Sequence, residues 1–191
     1  MCGAASIEAA AAGRLPAWAE AGPARRAHAA RVAALMDDWA RRLGLDAGER
    51  LRWRAAGWLH DALRDADPAV LRRRVPPEFR DLPDPLLHGP AAARRLAEDG
   101  VADAPLLTAI AYHTIGHPTL DALGRALYLA DYLEPGRTFD PGGRAALRAR
   151  LPGAMEEALV HVVAARLKHL LDSGRALRPE SVAFWNAIVG A

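Results

Sequence analysis

The chain has 191 residues, of which 51% are hydrophobic and 25% charged, a balance typical of a folded globular protein and not of a disordered or fibrous one. The formal net charge is only +2 and no basic block is interleaved with aromatic residues, so nucleic-acid binding is not indicated, and the single cysteine, Cys2, excludes an internal disulfide. No segment approaches the ~20 apolar residues of a membrane span, and the N-terminus lacks a charged flank with an apolar core, so we expect a cytoplasmic protein without a membrane partner.

The composition favours helices throughout the chain, because it has alanine-rich runs and few β-branched clusters. Residues 1–22 are expected to form a short helical or loose N-terminal cap, and residues 23–191 the main domain. A helix is predicted over 24–43 and ends at Gly44, a typical C-terminal cap. Its apolar stripe, at spacings of three and four residues, includes His28, so this imidazole is predicted to point into the core.

A second helix is predicted to begin at Asp46, which resembles the first residue of a capping box, and to run to about Asp65. Between residues 55 and 63 every residue is apolar or glycine except His60 and Asp61, which predicts that this pair is buried. A buried carboxylate costs several kcal/mol unless a charge or a metal compensates it. A core His–Asp hydrogen bond is the simpler reading of the pair taken alone.

The rest of the chain also reads as helices joined by loops. The expected elements are a short helix with loops over 68–84, a helix from about 88 to 100, one that follows Asp103, one over 121–134, a loop with room for one helical turn over 139–152, and two helices over 153–172 and 179–189. Three of them carry a polar group at a core or helix-start position, namely His88, His113 and Asp131. Because no strand pattern or repeat occurs, the predicted fold class is all-α.

Polar groups able to bind a metal therefore recur on otherwise apolar faces in distant parts of the chain. They are His28, His60, Asp61, His88, His113 and Asp131. One such residue is usually a satisfied core group, but several by accident would each need a separate buried partner. A shared cation satisfies all of them, and histidine with carboxylate suits iron, manganese or zinc.

The order of these residues resembles the HD superfamily of metal-dependent phosphohydrolases. Within it, three strings are similar to YqeK-type symmetrical bis(5'-nucleosyl)-tetraphosphatases: Leu87-His88-Gly89-Pro90, Tyr112-His113-Thr114 and Leu129-Ala130-Asp131-Tyr132-Leu133-Glu134-Pro135-Gly136-Arg137. The tail from Ser173 to Asn186 is similar to that family as well. The matches cover residues 24 to about 186, and the third string is the most specific of them.

This resemblance implies a single HD-domain helical bundle that holds one or two ions, with iron expected first and manganese or zinc as alternatives. The implied metal ligands are His28, His60, Asp61 and Asp131. His88 and His113 would bind phosphate or complete a second metal site, and Asp61 and Arg64 would act in catalysis. The implied substrate-binding residues are Arg25, Thr114, Arg137, Gly174 and Arg175.

The implied reaction is hydrolysis of diadenosine tetraphosphate to two ADP by a metal-activated hydroxide. The implied partner is a small nucleotide polyphosphate, and a homodimer is left open. One alternative is another HD phosphohydrolase that acts on nucleotides or on guanosine tetraphosphate. The other is a nucleotide-sensing HD module without turnover.

Overall fold

The structure is a computed structural model that describes residues 3–190, so Cys2 lies outside the described residues. The α-helices are α1 (Gly3–Ala11), α2 (Pro23–Arg42), α3 (Ala47–Leu59), α4 (Pro68–Arg74), α5 (His88–Glu98), α6 (Ala104–Tyr112), α7 (Ala122–Leu133), α8 (Pro141–Arg150), α9 (Met155–Asp172) and α10 (Pro179–Val189). Two 3₁₀ turns lie between α4 and α5. Over residues 3–190 no strand is present, which confirms the all-α prediction, and none of the helices there has both the length and the apolar character needed to cross a bilayer.

Aspartates fix the starts of several helices as the sequence predicts. The side chain of Asp46 accepts a hydrogen bond from the backbone N–H of Glu49 at 2.9 Å, and Asp103 accepts one from Leu106 at 3.1 Å. Each bond satisfies a backbone donor that the first turn of a helix leaves free. The positions of α3 and α6 along the chain are therefore encoded locally.

Helices α2 and α3 approach each other closely at Gly57. A Cβ atom on Gly57 would lie 2.5 Å from Cα of Ala33, a distance that no real side chain adopts. The absence of a side chain on Gly57 therefore allows the two backbones to pack in direct contact. This packing sets α2 and α3 side by side, with His28 on one helix and His60 at the end of the other.

A second close approach joins α5 and α6. A Cβ atom on Gly89 would lie 2.7 Å from the carbonyl oxygen of Ile110 and 3.1 Å from Nδ1 of His113. Any larger residue at position 89 would push the start of α5 away from the end of α6. The glycine therefore keeps His88 beside His113.

The second predicted helix ends earlier than expected. Helix α3 ends at Leu59, and residues 60–65 form successive tight turns in which Ala62 N–H donates to the Leu59 carbonyl at 3.1 Å and Arg64 N–H to the Asp61 carbonyl at 3.0 Å. The prediction of a helix to about Asp65 is wrong because a continuous apolar run reports burial and does not by itself distinguish a helix from buried turns. The turns leave the carbonyl of Gly57 free to accept from the ring of His60.

The predicted loop over 139–152 is largely helical, since α8 spans Pro141–Arg150. Pro141 lies at the first helical turn, where a missing N–H costs nothing, and Asp140 caps the helix through the N–H of Gly143 at 3.0 Å. Arg144 anchors α8 by stacking over the ring of Tyr132, 4.0 Å from its centroid. The proline and glycines of this stretch resemble a loop in sequence, and these tertiary contacts decide the outcome.

The N-terminal segment packs on the same core as the other helices. Ile7, Ala10 and Ala11 of α1 are buried in it, and the backbone of Glu20 pairs with the turns after α3. The Glu20 N–H donates to the Ala62 carbonyl at 2.8 Å. This segment therefore braces the turns that carry Asp61, and the division of the chain at residue 22 stays a prediction.

Candidate metal centre

Six polar side chains from distant parts of the chain meet inside the helical bundle. They are His28 of α2, His60 and Asp61 after α3, His88 at the start of α5, His113 after α6 and Asp131 of α7. The most exposed of them, Asp131, is 7% exposed, and His60 is completely buried. The structure thus brings together all the histidines and aspartates that the sequence singles out as candidate ligands.

One half of the cluster is formed by His28, His60 and Asp131. Nε2 of His28 lies 3.2 Å from Nε2 of His60 and 3.2 Å from Oδ1 of Asp131. These two nitrogens and the oxygen come close enough together to hold one metal ion. Oδ2 of Asp61 lies 3.7 Å from Nε2 of both histidines and can join the same ion.

The other half is formed by Asp61, His88 and His113. Oδ1 of Asp61 lies 3.0 Å from Nε2 of His88 and 3.7 Å from Nε2 of His113, and the two imidazoles are 3.1 Å apart between these nitrogens. His60, Asp61 and His113 also form a group that could hold a metal ion. The carboxylate of Asp61 therefore stands between the two halves, with one oxygen directed to each.

All four histidines direct Nε2 into the cluster and use Nδ1 on its outer side. The Nδ1 atoms of His60, His88 and His113 lie 2.9, 3.0 and 2.8 Å from the backbone carbonyl three residues earlier. A carbonyl can only accept a hydrogen bond, so Nδ1 carries the proton and Nε2 offers a lone pair. Four such nitrogens and two carboxylates fit a cation such as iron, manganese or zinc.

The environment favours the metal-binding protonation state for four of the six side chains: His60, His88, Asp61 and Asp131. Burial lowers the pKa of His60 to about 4 and also lowers the pKa of His88, so both imidazoles are neutral near pH 7. Burial opposes ionisation of Asp61 and Asp131, but the surrounding imidazoles, and Arg166 beside Asp131, hold the pKa of both carboxyls well below the usual range. His60 and His88 thus present neutral imidazoles beside two ionised carboxylates.

His28 behaves differently from the other histidines. Burial lowers its pKa, but the hydrogen bond to Asp131 and the charge of that carboxylate outweigh burial and raise the pKa above the ordinary value. Its Nδ1 lies 3.2 Å from Oε1 of Glu134, a carboxylate where the other three rings meet a carbonyl. His28 is therefore the histidine most strongly coupled to acidic groups on both sides of its ring.

Two of the predicted substrate-binding arginines lie directly against the aspartates. Nη1 of Arg25 is 3.0 Å from Oδ2 of Asp61, and Arg137 donates to Oδ1 of Asp131. Both side chains are partly exposed, so their guanidinium groups can also face an incoming anion. Arg25 and Arg137 border the cluster on its solvent side.

The remaining predicted site residues lie at different distances from the cluster. The hydroxyl of Thr114 is 3.1 Å from Nε2 of His113, and Arg64 donates to the carbonyl of Pro85, which also lies against His88. Gly174 and Arg175 lie exposed after the end of α9. Within residues 3–190 no hydrogen bond or ion pair joins either of them to the six-residue cluster.

Two residues that the sequence pattern did not single out, Glu134 and Arg166, contact the cluster, and a third, Arg31, pairs with Glu134. Glu134 and Arg31 contact each other beside His28, and Nη2 of Arg166 lies 3.1 Å from Oδ2 of Asp131. Arg166 also donates to the Thr114 carbonyl at 2.8 Å and stacks over Tyr128. A signal for Arg166 was present, because it continues the buried stripe of α9 at helical spacing.

Comparison with known proteins identifies one family and several relatives. The family model for the HD domain matches residues 25–136. A symmetrical bis(5'-nucleosyl)-tetraphosphatase of Halalkalibacterium halodurans is 34% identical over 110 residues, which are 56% of each chain. A protein of the same name from Bacillus subtilis is 30% identical over 121 residues, which are 63% of this chain and 64% of that protein. The alignments thus span less than two thirds of these relatives.

A solved structure extends the similarity over most of the chain. It belongs to a protein of Clostridium acetobutylicum described as a predicted HD superfamily hydrolase involved in NAD metabolism. The two chains are 27% identical, with a TM-score of 0.76 over 88% of this chain and 90% of the other. The overall arrangement of helices is therefore shared with this predicted HD superfamily hydrolase.

Proposed function

The chain belongs to the HD-domain family, and on that premise we propose that it is a metal-dependent phosphohydrolase that cleaves bis(5'-nucleosyl)-tetraphosphates symmetrically. From diadenosine tetraphosphate it would release two ADP. The observation that carries the proposal is the position of Asp61, whose two oxygens face opposite halves of a buried His/Asp cluster bordered by arginines. The names of the relatives from Halalkalibacterium halodurans and Bacillus subtilis support the choice of substrate.

His28, His60, Asp61 and Asp131 would hold the metal, for which iron is our first expectation, with manganese or zinc as alternatives. His88 and His113 would hold either a second ion or a phosphate group. A bound metal ion supplies two things here: it lowers the pKa of a bound water to near 7 and it neutralises phosphate oxygens. The neutral imidazoles of His60 and His88 and the ionised carboxylates of Asp61 and Asp131 could take up such an ion without first losing protons.

The side chains around the cluster would orient the polyphosphate. Arg25 and Arg137 each keep part of the guanidinium exposed while touching an aspartate, so both can donate paired hydrogen bonds to phosphate oxygens. Arg64 lies beside His88 and would add positive charge at the second half. Phosphoryl transfer depends mainly on such positioning and charge neutralisation.

The proposed reaction breaks the P–O bond between the two inner phosphorus atoms. The oxygen of water bonds to one inner phosphorus, and the bridging oxygen leaves on the other. The two protons of the water pass to the new terminal phosphate oxygens or to solvent, so two identical nucleoside diphosphates form. Asp61 is the residue on which this reaction depends most, because each of its two oxygens faces a different half of the cluster. The expected setting is the cytoplasm, with a small nucleotide as the partner.

The test is a product assay with the purified protein. The chain is stripped of metal, reloaded anaerobically with Fe²⁺, Mn²⁺ or Zn²⁺, and incubated with diadenosine tetraphosphate, and the products are separated by anion exchange. Two ADP support the proposal, whereas ATP plus AMP contradict it. Tight nucleotide binding without product at any metal would instead favour the nucleotide-sensing alternative, and a parallel incubation with guanosine tetraphosphate tests the other alternative.

A further inference from the structure

His28 has a different outer partner from the other three histidines because of its place in the fold. His60 and His113 follow the ends of α3 and α6, and His88 begins α5, so a free carbonyl is available to each ring. His28 lies inside α2, where the carbonyls accept the N–H groups of the helix itself. Its Nδ1 must therefore find an acceptor from another element, and that acceptor is Glu134, directly after α7.

The carboxylate of Glu134 is held firmly in this position. It is 2% exposed and accepts a hydrogen bond from the N–H of Gly136 at 2.7 Å. It also accepts hydrogen bonds from Nε and Nη2 of Arg31. Arg31 lies three residues after His28, on the same side of α2. A Cβ atom at Gly136 would meet the Arg31 guanidinium at 2.4–2.6 Å, so the glycine makes room for this pair.

A carboxylate is a stronger acceptor than a carbonyl for the ring N–H of a metal-binding histidine. It fixes the tautomer, holds the plane of the ring and makes the opposite nitrogen a better ligand. Nε2 of His28, the nitrogen opposite Glu134, faces His60 and Asp131. Among the four histidines, only the ring of His28 has this anionic support in the described residues.

We propose that Glu134 is the positioning residue of His28 and that it makes the half formed by His28, His60 and Asp131 the tighter cation site. The half with His88 and His113 binds a cation more weakly, because the Nδ1 atoms of these rings donate to backbone carbonyls. This inference depends on the metal-binding part of the proposed function but not on the identity of the nucleotide.

The test measures binding of Co²⁺ to the metal-free protein by visible absorption, independently of turnover. Glu134→Gln keeps the size of the side chain but removes its charge, and we expect it to weaken the tightest Co²⁺ dissociation constant by about 10–100-fold. His28→Ala removes the ligand and should weaken it at least as much. Glu157→Gln, at an exposed glutamate paired with Arg150, is the matched control and should bind as the unaltered chain does.

Two further variants separate positioning from a structural role. Arg31→Met removes the outer pair and leaves Glu134 in reach of His28, so its loss of affinity should stay well below that of Glu134→Gln. Glu134→Asp keeps the charge but shortens the side chain that reaches His28. It replaces Glu134→Gln as the test variant if Glu134→Gln does not fold. The melting temperature of each metal-free variant reports folding separately.

The inference is overturned if folded Glu134→Gln or Glu134→Asp binds Co²⁺ as tightly as the unaltered chain. It is also overturned if Arg31→Met loses as much affinity as Glu134→Gln, since Glu134 would then act only by holding the loop after α7. If the unaltered chain binds no Co²⁺, this inference and the metal-binding part of the proposed function both fail. If the unaltered chain binds Co²⁺ but hydrolyses no nucleotide, only the proposed function fails.

Discussion

Asp61 and His88 meet at 3.0 Å, through Oδ1 of the carboxylate and Nε2 of the ring, while the other oxygen of Asp61 turns to His28. The two residues come from the turn after α3 and from the start of α5, and no local pattern links them. Their contact joins the two halves of the cluster into one site. Four predictions follow from this arrangement and from the packing that maintains it.

Replacing Asp61 by asparagine should abolish hydrolysis while leaving the helices intact. The amide has nearly the same volume, but it removes the charge that both halves share. The loss of turnover should exceed the ~10–100-fold that removal of an outer partner typically costs. Turnover is measured by the release of ADP, and helix content by circular dichroism. Asp38→Asn, at a half-exposed aspartate paired with Arg41 and Arg42, is the control, and a near-normal rate for Asp61→Asn would refute the assignment.

Replacing Gly57 by alanine should weaken both the fold and the metal site. The new Cβ would lie 2.5 Å from Cα of Ala33, so α2 and α3 must separate and carry His28 away from His60. Overpacking of this kind costs about 1–3 kcal/mol of unfolding free energy, measured by urea denaturation. Co²⁺ affinity should fall in the same variant.

The matched control for that substitution is Gly142→Ala in α8. A Cβ at Gly142 meets no atom within 4 Å, so the change should be neutral or stabilise the helix by up to about 1 kcal/mol. Equal stability of the Gly57→Ala and Gly142→Ala variants would contradict the close packing of α2 on α3.

Replacing Arg166 by methionine should destabilise the protein, because Asp131 loses one of its two arginine partners. Nη2 of Arg166 lies 3.1 Å from Oδ2 of Asp131, and the side chain is 21% exposed. Leaving a buried acceptor without its donor costs about 1–3 kcal/mol, which thermal or urea unfolding of the metal-free protein can measure. Lys168→Met, at an exposed lysine two residues further along α9, should change stability little. Unfolding midpoints that agree for the two variants would show that Arg166 does not support Asp131.

Acidification should destabilise the metal-free protein between about pH 6.5 and pH 4. Burial lowers the pKa of His60 from 6.5 to about 4. Between these values the ring is protonated in the unfolded chain but neutral in the folded chain. Above pH 6.5 the neutral ring of His60 costs the fold nothing. As the pH falls to 4, protonation of this residue in the unfolded chain lowers the free energy of unfolding by about 3 kcal/mol. His88, whose pKa burial also lowers, acts in the same direction.

The pKa shift of His28 has the opposite sign, so this residue partly offsets the loss of stability on acidification. Its raised pKa gives stability that is present below pH 6.5 and disappears as the pH rises through the folded value. Urea denaturation in the presence of a chelator, at pH 7.5, 6.0 and 5.0, measures the sum. Stability that stays constant or rises across this series would show that His60 and His88 are not held neutral by burial.

The sequence predicted the fold class, the starts of α2, α3 and α6, and the inward direction of the candidate ligands. These features depend on spacing over one or two helical turns, and a capping aspartate or an apolar stripe is complete within that length. The end of α3 was predicted wrongly, and so was the length of α8, for which only one helical turn was expected. In both stretches the local signal, an apolar run or a proline with two glycines, is compatible with more than one backbone conformation.

The sequence by itself determined which polar side chains lie on buried faces and are therefore candidates for a shared partner. Only the tertiary structure decided that Glu134 supports His28, that Arg166 reaches Asp131 and that Asp61 stands between two halves. The physical reason is that helical periodicity fixes the face on which a side chain lies, whereas the distance between faces depends on how closely backbones pack. At Gly57 and Gly89 that distance is set by the absence of a single Cβ atom, which brings the rings of different helices to within about 3 Å.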